Sequence, residues 1–250
     1  MKFVVKAIIQ VGLFASLSGD AQAENDKPIK PVTRESLDSA LAADLELMDR
    51  RVAKIRDFTA DFEERKTTAI LKKPLVSQGK VKVTGTGSRW DTISPHPSTL
   101  VLNADRIRIY YPRRSTLEEY SLDEKLKWLA LSPLPKLADL IGRFTIERIP
   151  VADLVMGDSN STYMGLRLTP RDATIGEYLY HVDVVLNTTA AHMVRVEIAD
   201  ADGDRTVISF SNVRMNTGLE EKDIELLVPE GTQIVRPLAG LEKKSPEAPP

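Results

Sequence analysis

Residues whose types and spacing could do chemistry are few in this 250-residue chain, and each group lacks a part. Gly157-Asp158-Ser159-Asn160 holds a serine in a polar setting that would suit an esterase nucleophile. Such a serine needs a histidine base. The only histidines are His96, His181 and His192, and none follows His192, so a polar loop is the better reading. Asp200, Asp202 and Asp204 are spaced like the start of a calcium loop. That loop wants its glycine after the third acid and a closing glutamate. Here Gly203 comes before Asp204 and the apolar run from Thr206 to Phe210 follows at once, which predicts a hairpin turn. Gly85-Thr86-Gly87 lacks the third glycine of a dinucleotide fingerprint and reads as a turn or bulge. Lys72-Lys73 and Arg113-Arg114 read as solvated basic turns, and His181 and His192 as ordinary sheet residues. The chain has no cysteine, which excludes thiol catalysis, cysteine-bound zinc, disulfides and a cysteine-linked lipid anchor. No nucleophile, base and oxyanion donor occur together. No catalytic residue, metal or cofactor is expected.

Composition narrows the classes further. Lys plus Arg is 34 and Asp plus Glu is 36, a formal charge of −2 that argues against nucleic acid as a partner. Hydrophobic content of 42% and charged content of 28% describe a globular chain with a substantial core. At the N-terminus, Lys2 and Lys6 precede an apolar run from Ala7 to Leu17, and Ala21-Gln22-Ala23 offers a small-x-small cleavage site. This predicts a secretory signal peptide over residues 1–23, cut after Ala23, in a run too short to anchor in a bilayer. With no cysteine to carry acyl chains, the expected product is exported and not membrane-anchored.

The elements that would position a site follow from periodicity. Residues 24–33 are polar, contain Pro28 and Pro31, and read as a tether. A helix is predicted from about Arg34 to Arg56, since Leu41, Leu45, Met48, Val52 and Ile55 share one face, with Thr33 or Ser36 as cap. The period then becomes two. Phe58, Ala60 and Phe62, then Val81 and Val83, then Ile107, Ile109 and Tyr111 alternate with polar neighbours. That is the pattern of antiparallel strands with one wet face. Asn103-Ala104-Asp105 reads as a hairpin turn. Between Leu122 and Phe144 the pattern becomes short helical segments broken by Pro133 and Pro135. Further strands are predicted at Thr145–Ile149, Tyr163–Thr169, Tyr178–Leu186, Met193–Ala199, Thr206–Val213 and Asp223–Val228. Residues 240–250 read as a mobile polar tail. Repeated strands with one apolar face need a cover. The expected fold is therefore α+β, mainly antiparallel β. It is one domain over residues 34–239, a strongly curved sheet with helices across its concave side.

The middle of the chain resembles the LolA-type periplasmic lipoprotein carriers. The resemblance rests on five blocks in the family's order, between about Ala40 and Val235. They are Phe58-Thr59-Ala60-Asp61-Phe62-Glu63-Glu64; Gly79-Lys80-Val81 leading to Arg89-Trp90 and Pro95; Leu100 through Pro112; Pro135-Lys136-Leu137-Ala138-Asp139-Leu140-Ile141; and Asn216-Thr217-Gly218-Leu219 through Val228-Pro229-Glu230-Gly231. The resemblance implies an unclosed β-barrel with an N-terminal helix and a helical lid over an apolar cavity. It implies a soluble periplasmic carrier, with no enzymatic activity, that takes lipoprotein acyl chains from the inner to the outer membrane. An inner-membrane ABC-type releasing complex and an outer-membrane acceptor are the implied partners, and a monomer is expected. The expected cavity lining is Trp90, Leu100, Leu102, Ile107, Ile109 and Tyr111, and the expected lid residues are Leu126, Leu129, Leu137, Leu140 and Ile141. One departure stands out. Family members carry an Arg-Pro pair whose arginine latches the lid, where this chain has Thr84-Gly85-Thr86-Gly87-Ser88. Arg89, close by, is not assigned that role. The departure keeps open a carrier of free lipid or glycolipid on the same fold. A lipoprotein-sensing interaction domain is a further alternative, and an esterase using Ser159 the remotest.

Overall fold

The computed structural model describes residues 38–103, 106–121, 140–151 and 162–237. The signal peptide, the tether, the polar tail, the Ser159 loop and most of the expected lid lie outside them.

The first helix, α1, spans Ser39–Val52, shorter than the periodicity predicts. Its start is set by Asp38, whose side chain accepts from the Ala40 amide at 3.3 Å, in place of Thr33 or Ser36. It ends with Arg50 and Arg51 in the last turn, where cations suit the exposed carbonyls. Ile55 therefore falls beyond the helix, although it packs on the same core as Val52. Leu41, Leu45 and Met48 form the buried face.

Twelve strands make one sheet: β1 (Phe58–Thr67), β2 (Leu75–Thr84), β3 (Gly87–Ser94), β4 (Ser98–Asn103), β5 (Arg106–Tyr111), β6 (Thr116–Ser121), β7 (Phe144–Ile149), β8 (Tyr163–Pro170), β9 (Leu179–Asn187), β10 (His192–Asp200), β11 (Arg205–Met215) and β12 (Gln233–Val235). Their spatial order is β12-β6-β5-β4-β3-β2-β1-β11-β10-β9-β8-β7. Every pairing is antiparallel except β12 with β6. The two ends, β12 and β7, do not pair, so the curled sheet stays unclosed. The alternation read from the sequence holds: Phe58, Ala60, Phe62, Val81, Val83, Ile107 and Ile109 are buried in one core with the apolar face of α1. Gly79 is needed in β2 because a Cβ there would stand 2.1 Å from the Asp91 carbonyl oxygen and 2.7 Å from Cζ of the Phe62 ring.

The predicted strand Asp223–Val228 is not one. Glu221–Asp223 is a 3₁₀ turn, and the chain beyond it runs across the outside of the sheet. Leu226 packs there on Val101 and Leu117, with Tyr110 and Val228 beside them. Apolar residues at every second position need only an extended chain with one side buried; they do not require a ladder. The ladder forms later, where the Thr232 amide closes a turn on the Pro229 carbonyl at 3.3 Å and β12 joins β6.

Candidate functional site

The concave face is built row by row by the strand register. Ala60, Val81, Trp90, Leu100, Ile109 and Glu118 stand opposite one another from β1 to β6. Phe58, Val83, Ser88, Leu102, Ile107 and Tyr120 form the neighbouring row. All six expected lining residues therefore lie on the concave side. Trp90, Leu102, Ile107 and Ile109 are buried, while Leu100 and Tyr111 are partly buried against the same cluster. Trp90 is central: its ring lies 5.3 Å from Phe62 and 6.1 Å from Phe210, and its Nε1 donates to Ser88 Oγ at 3.2 Å. Of the expected lid, Leu140 and Ile141 are buried in this cluster. Leu126, Leu129 and Leu137 fall outside the described residues.

Helix α1 covers this face and is tied near its middle and at its C-terminal end. Asp44 accepts from Arg148 of β7, and Arg51 donates to the Thr188 carbonyl at the β9–β10 turn. A pocket lined by Ile55, Phe58, His192, Met193, Phe210, Val213 and Met215 has an internal volume of about 10 Å³, close to one water molecule. Ligand sites for small organic molecules run to roughly 300–1,000 Å³. The pocket lies at the rim where β1 begins and β11 ends. Sequence reasoning misses this lining. Phe58 and Val213 are legible as inward strand residues, but nothing local marks a gap between elements distant in sequence.

Besides Ser88, a charged group interrupts the apolar face. Glu118 accepts from the Tyr120 hydroxyl at 2.8 Å and the Tyr111 hydroxyl at 3.3 Å. Arg114 lies over the Tyr111 ring at 4.2 Å and 3.9 Å from Glu118. Burial, then the Glu118 charge and hydrogen bond, push the Tyr111 hydroxyl up to about 12, so it remains a donor. Tyr120 is raised by burial and the same carboxylate. This arrangement orients side chains and supplies no activated nucleophile.

Arg89 faces the other way. It pairs with Asp91 through two contacts at 2.8 and 3.0 Å and donates to the Glu225 carbonyl of the outer segment. It braces the convex side. The β2–β3 turn that replaces the family's Arg-Pro pair is closed locally, with Thr84 Oγ1 and Thr86 Oγ1 at 3.1 Å. Asp200, Asp202 and Asp204 bring their carboxylates within 4.8 Å of one another. They flank a hairpin turn held by Asp200 N to Asp204 O at 2.8 Å, with Gly203 at φ 88°, a backbone conformation glycine adopts without strain. Among the described residues no helix is long and apolar enough to cross a membrane.

The family model and the sequence relatives agree on one family. The family model described as "Outer membrane lipoprotein carrier protein LolA" matches residues 53–223. An outer-membrane lipoprotein carrier protein of Bordetella avium is 23% identical over 194 residues, covering 74% of this chain and 83% of its own. One from Azotobacter vinelandii is 25% identical over 154 residues, covering 59% of this chain and 66% of its own. Among solved structures, an uncharacterized conserved protein of Thermus thermophilus is 10% identical with a TM-score of 0.49, covering 79% of this chain and 99% of that one.

Proposed function

Because the chain belongs to the LolA family of outer membrane lipoprotein carrier proteins, we propose that it carries lipoprotein acyl chains through the periplasm from the inner to the outer membrane. The observation that supports this reading is the apolar concave face, continuous from Phe58 through Trp90 to Ile109 and covered by the amphipathic α1. Cargo would replace the packed side chains of Leu140, Ile141 and α1 against that face. Each methylene buried contributes roughly 0.8 kcal/mol, so an acyl chain can compete with the protein's own cover. Release then needs the closed state to be favoured again, which a membrane-bound donor or acceptor would bias. An ABC-type releasing complex and an outer-membrane acceptor are the proposed partners. The protein acts by binding, with no chemical step.

A carrier of free lipid or glycolipid is the second reading. It is favoured by the Thr84–Ser88 stretch that stands where the family has its latch. Mass spectrometry of protein purified from the periplasm separates the two. Acylated protein cargo supports the first, free phospholipid or glycolipid the second, and a consistently empty protein defeats both. Ile141→Glu should abolish cargo retention while circular dichroism shows a folded chain. Unchanged retention would remove Ile141 from the binding face.

A further inference from the structure

The rim opposite the pocket carries three neighbouring turns, apolar and basic, that the carrier reading does not use. Antiparallel pairing brings the β1–β2, β3–β4 and β5–β6 turns to the same end of the sheet. The β1–β2 hairpin projects furthest. Its ladder runs to Lys66 opposite Leu75, whereas β3 stops at Ser94 opposite Gln78, so Leu75, Val76 and Ser77 pair only with β1. Ile70 at its tip is 91% exposed, and Leu71, Leu75 and Val76 are exposed beside it. On the next turn Ile93 is 56% exposed. Side chains this exposed contribute almost nothing to the core.

The charges on these three turns share one sign, although the β10–β11 turn beside them, brought there by Thr67 opposite Arg205, carries Asp202 and Asp204. From Arg65 to Lys82 there is no acid, and none lies in residues 92–99 or 109–117. Lys72, Lys73 and Arg113 are exposed, and none of the three has an acidic partner among the described residues. Arg113 reaches His96 at 3.4 Å, which joins the second and third turns into one surface. Both basic pairs seen in the sequence thus meet on one end of a chain whose formal charge is −2.

We propose that this rim docks on anionic phospholipid, with Ile70 and Leu71 entering the headgroup boundary and Lys72, Lys73 and Arg113 meeting the lipid phosphates. Apolar side chains flanked by cations are the combination that binds such a surface, the apolar part by burial and the cations by attraction. Lysine suits this place, since its aliphatic stem can be buried while its ammonium stays among phosphates. The pocket rim then points away from the membrane. The inference does not rest on the carrier reading, because docking is measured without cargo.

Vesicle flotation of the exported full chain tests it. The probes are phosphatidylglycerol–phosphatidylethanolamine vesicles, with pure phosphatidylcholine as control. The protein should float with the anionic vesicles, stay behind with the control, and be released in about 0.5 M salt, where screening is nearly complete. Ile70→Asn with Leu71→Asn, and separately Lys72→Glu with Lys73→Glu, should each lower partitioning by roughly tenfold or more. All four positions are exposed, and thermal melts should match the parent protein. Failure of the parent protein to float overturns the proposal. So does parent-like flotation of both variants, or recovery only with vesicles carrying membrane proteins, which would mark the rim as a protein contact. Loss of cargo in the mass-spectrometric experiment with flotation intact would defeat the carrier reading alone.

Discussion

Over β3 to β6 the convex face of the sheet is mixed, a small apolar patch of Val101, Tyr110 and Leu117 set among Arg89, Arg108 and Glu119, and the patch is covered by the segment that follows β11; over β8 to β11 the convex face is charged and is spanned by its own side chains. In the first half Leu226 seals Val101 and Leu117, Lys82 donates to the Asp223 carbonyl at 3.5 Å, and Arg89 grips the Glu225 carbonyl. In the second half the register aligns Glu147, Arg167, Asp183 and Glu197 across four strands. Asp183 and Glu197 are both buried and stand opposite one another. Like charges so placed repel. Arg167 answers Asp183 with two contacts at 2.7 and 2.6 Å, and Arg195 and Arg205 answer Glu197. The concave face is apolar in both halves. Bracing has been put on the side that cargo would never touch, once by chain and once by charge, and the pleat's period of two keeps the two tasks apart.

The difference predicts unequal responses. The largest belongs to the charged half. Glu197→Ala leaves Arg195 and Arg205 without their acceptor and should cost about 3 kcal/mol, read as a lower denaturation midpoint. On the covered half, Leu226→Ala should cost about 2 kcal/mol, because that cluster is small and can partly collapse. If Leu226→Ala costs more than Glu197→Ala, the outer segment and not the ion pairs is the main brace. Asp57→Ala should cost roughly 1–2 kcal/mol. Its carboxylate anchors the start of the outer segment, accepting from the Thr217 amide and hydroxyl at 2.7 Å each and the Gly218 amide at 3.0 Å. Arg89→Ala should cost about 1 kcal/mol and increase amide exchange at Glu225 and Leu226 without disturbing cargo retention.

The smallest effects are set by pH, and they differ between the halves. Burial, and then the Arg167 charge, hold His181 below its ordinary value against the pull of Asp183. The unfolded chain therefore takes up this proton first on acidification. Stability should fall as pH drops from about 6.5 toward the lower folded value, and His181→Phe should flatten that part of the profile. For Asp57, burial raises the carboxyl, but the Thr217 and Gly218 hydrogen bonds outweigh it and the net shift is downward. Its contribution is present at neutral pH and is lost only as pH falls through the folded value, below the ordinary 3.8. A single acid transition shared by both variants would erase the distinction between the halves.

Much of the fold was legible because alternation is a local signal. Phe58, Ala60, Phe62, Val81, Val83, Ile107 and Ile109 announced which way they face, and the register did not have to be known. Strand β6 was not legible: its inward residues are Glu118 and Tyr120 and its outward Leu117 is buried under a distant segment, so its pattern looks inverted. Ile224, Leu226 and Val228 alternate as a strand would, yet they follow the outside of the sheet. Arg89 looked close to the latch position because it is near in number. Its side is decided by Trp90 next to it, which must point inward.

By itself, the sequence determined the α1 face, the two faces of most strands, the hairpin at Ala201–Asp204 and the absence of thiol chemistry. Those follow from dihedral periods and side-chain types, which act within a few residues. Only the tertiary structure decided that β1 lies between β2 and β11, that residues 223–228 cross the convex face, and that the pocket opens beside His192. It also decided that Lys72 and Arg113 share a rim with Ile70. Those depend on which distant strands pair, and pairing is fixed by the summed burial of whole faces, a sum no local stretch of sequence contains.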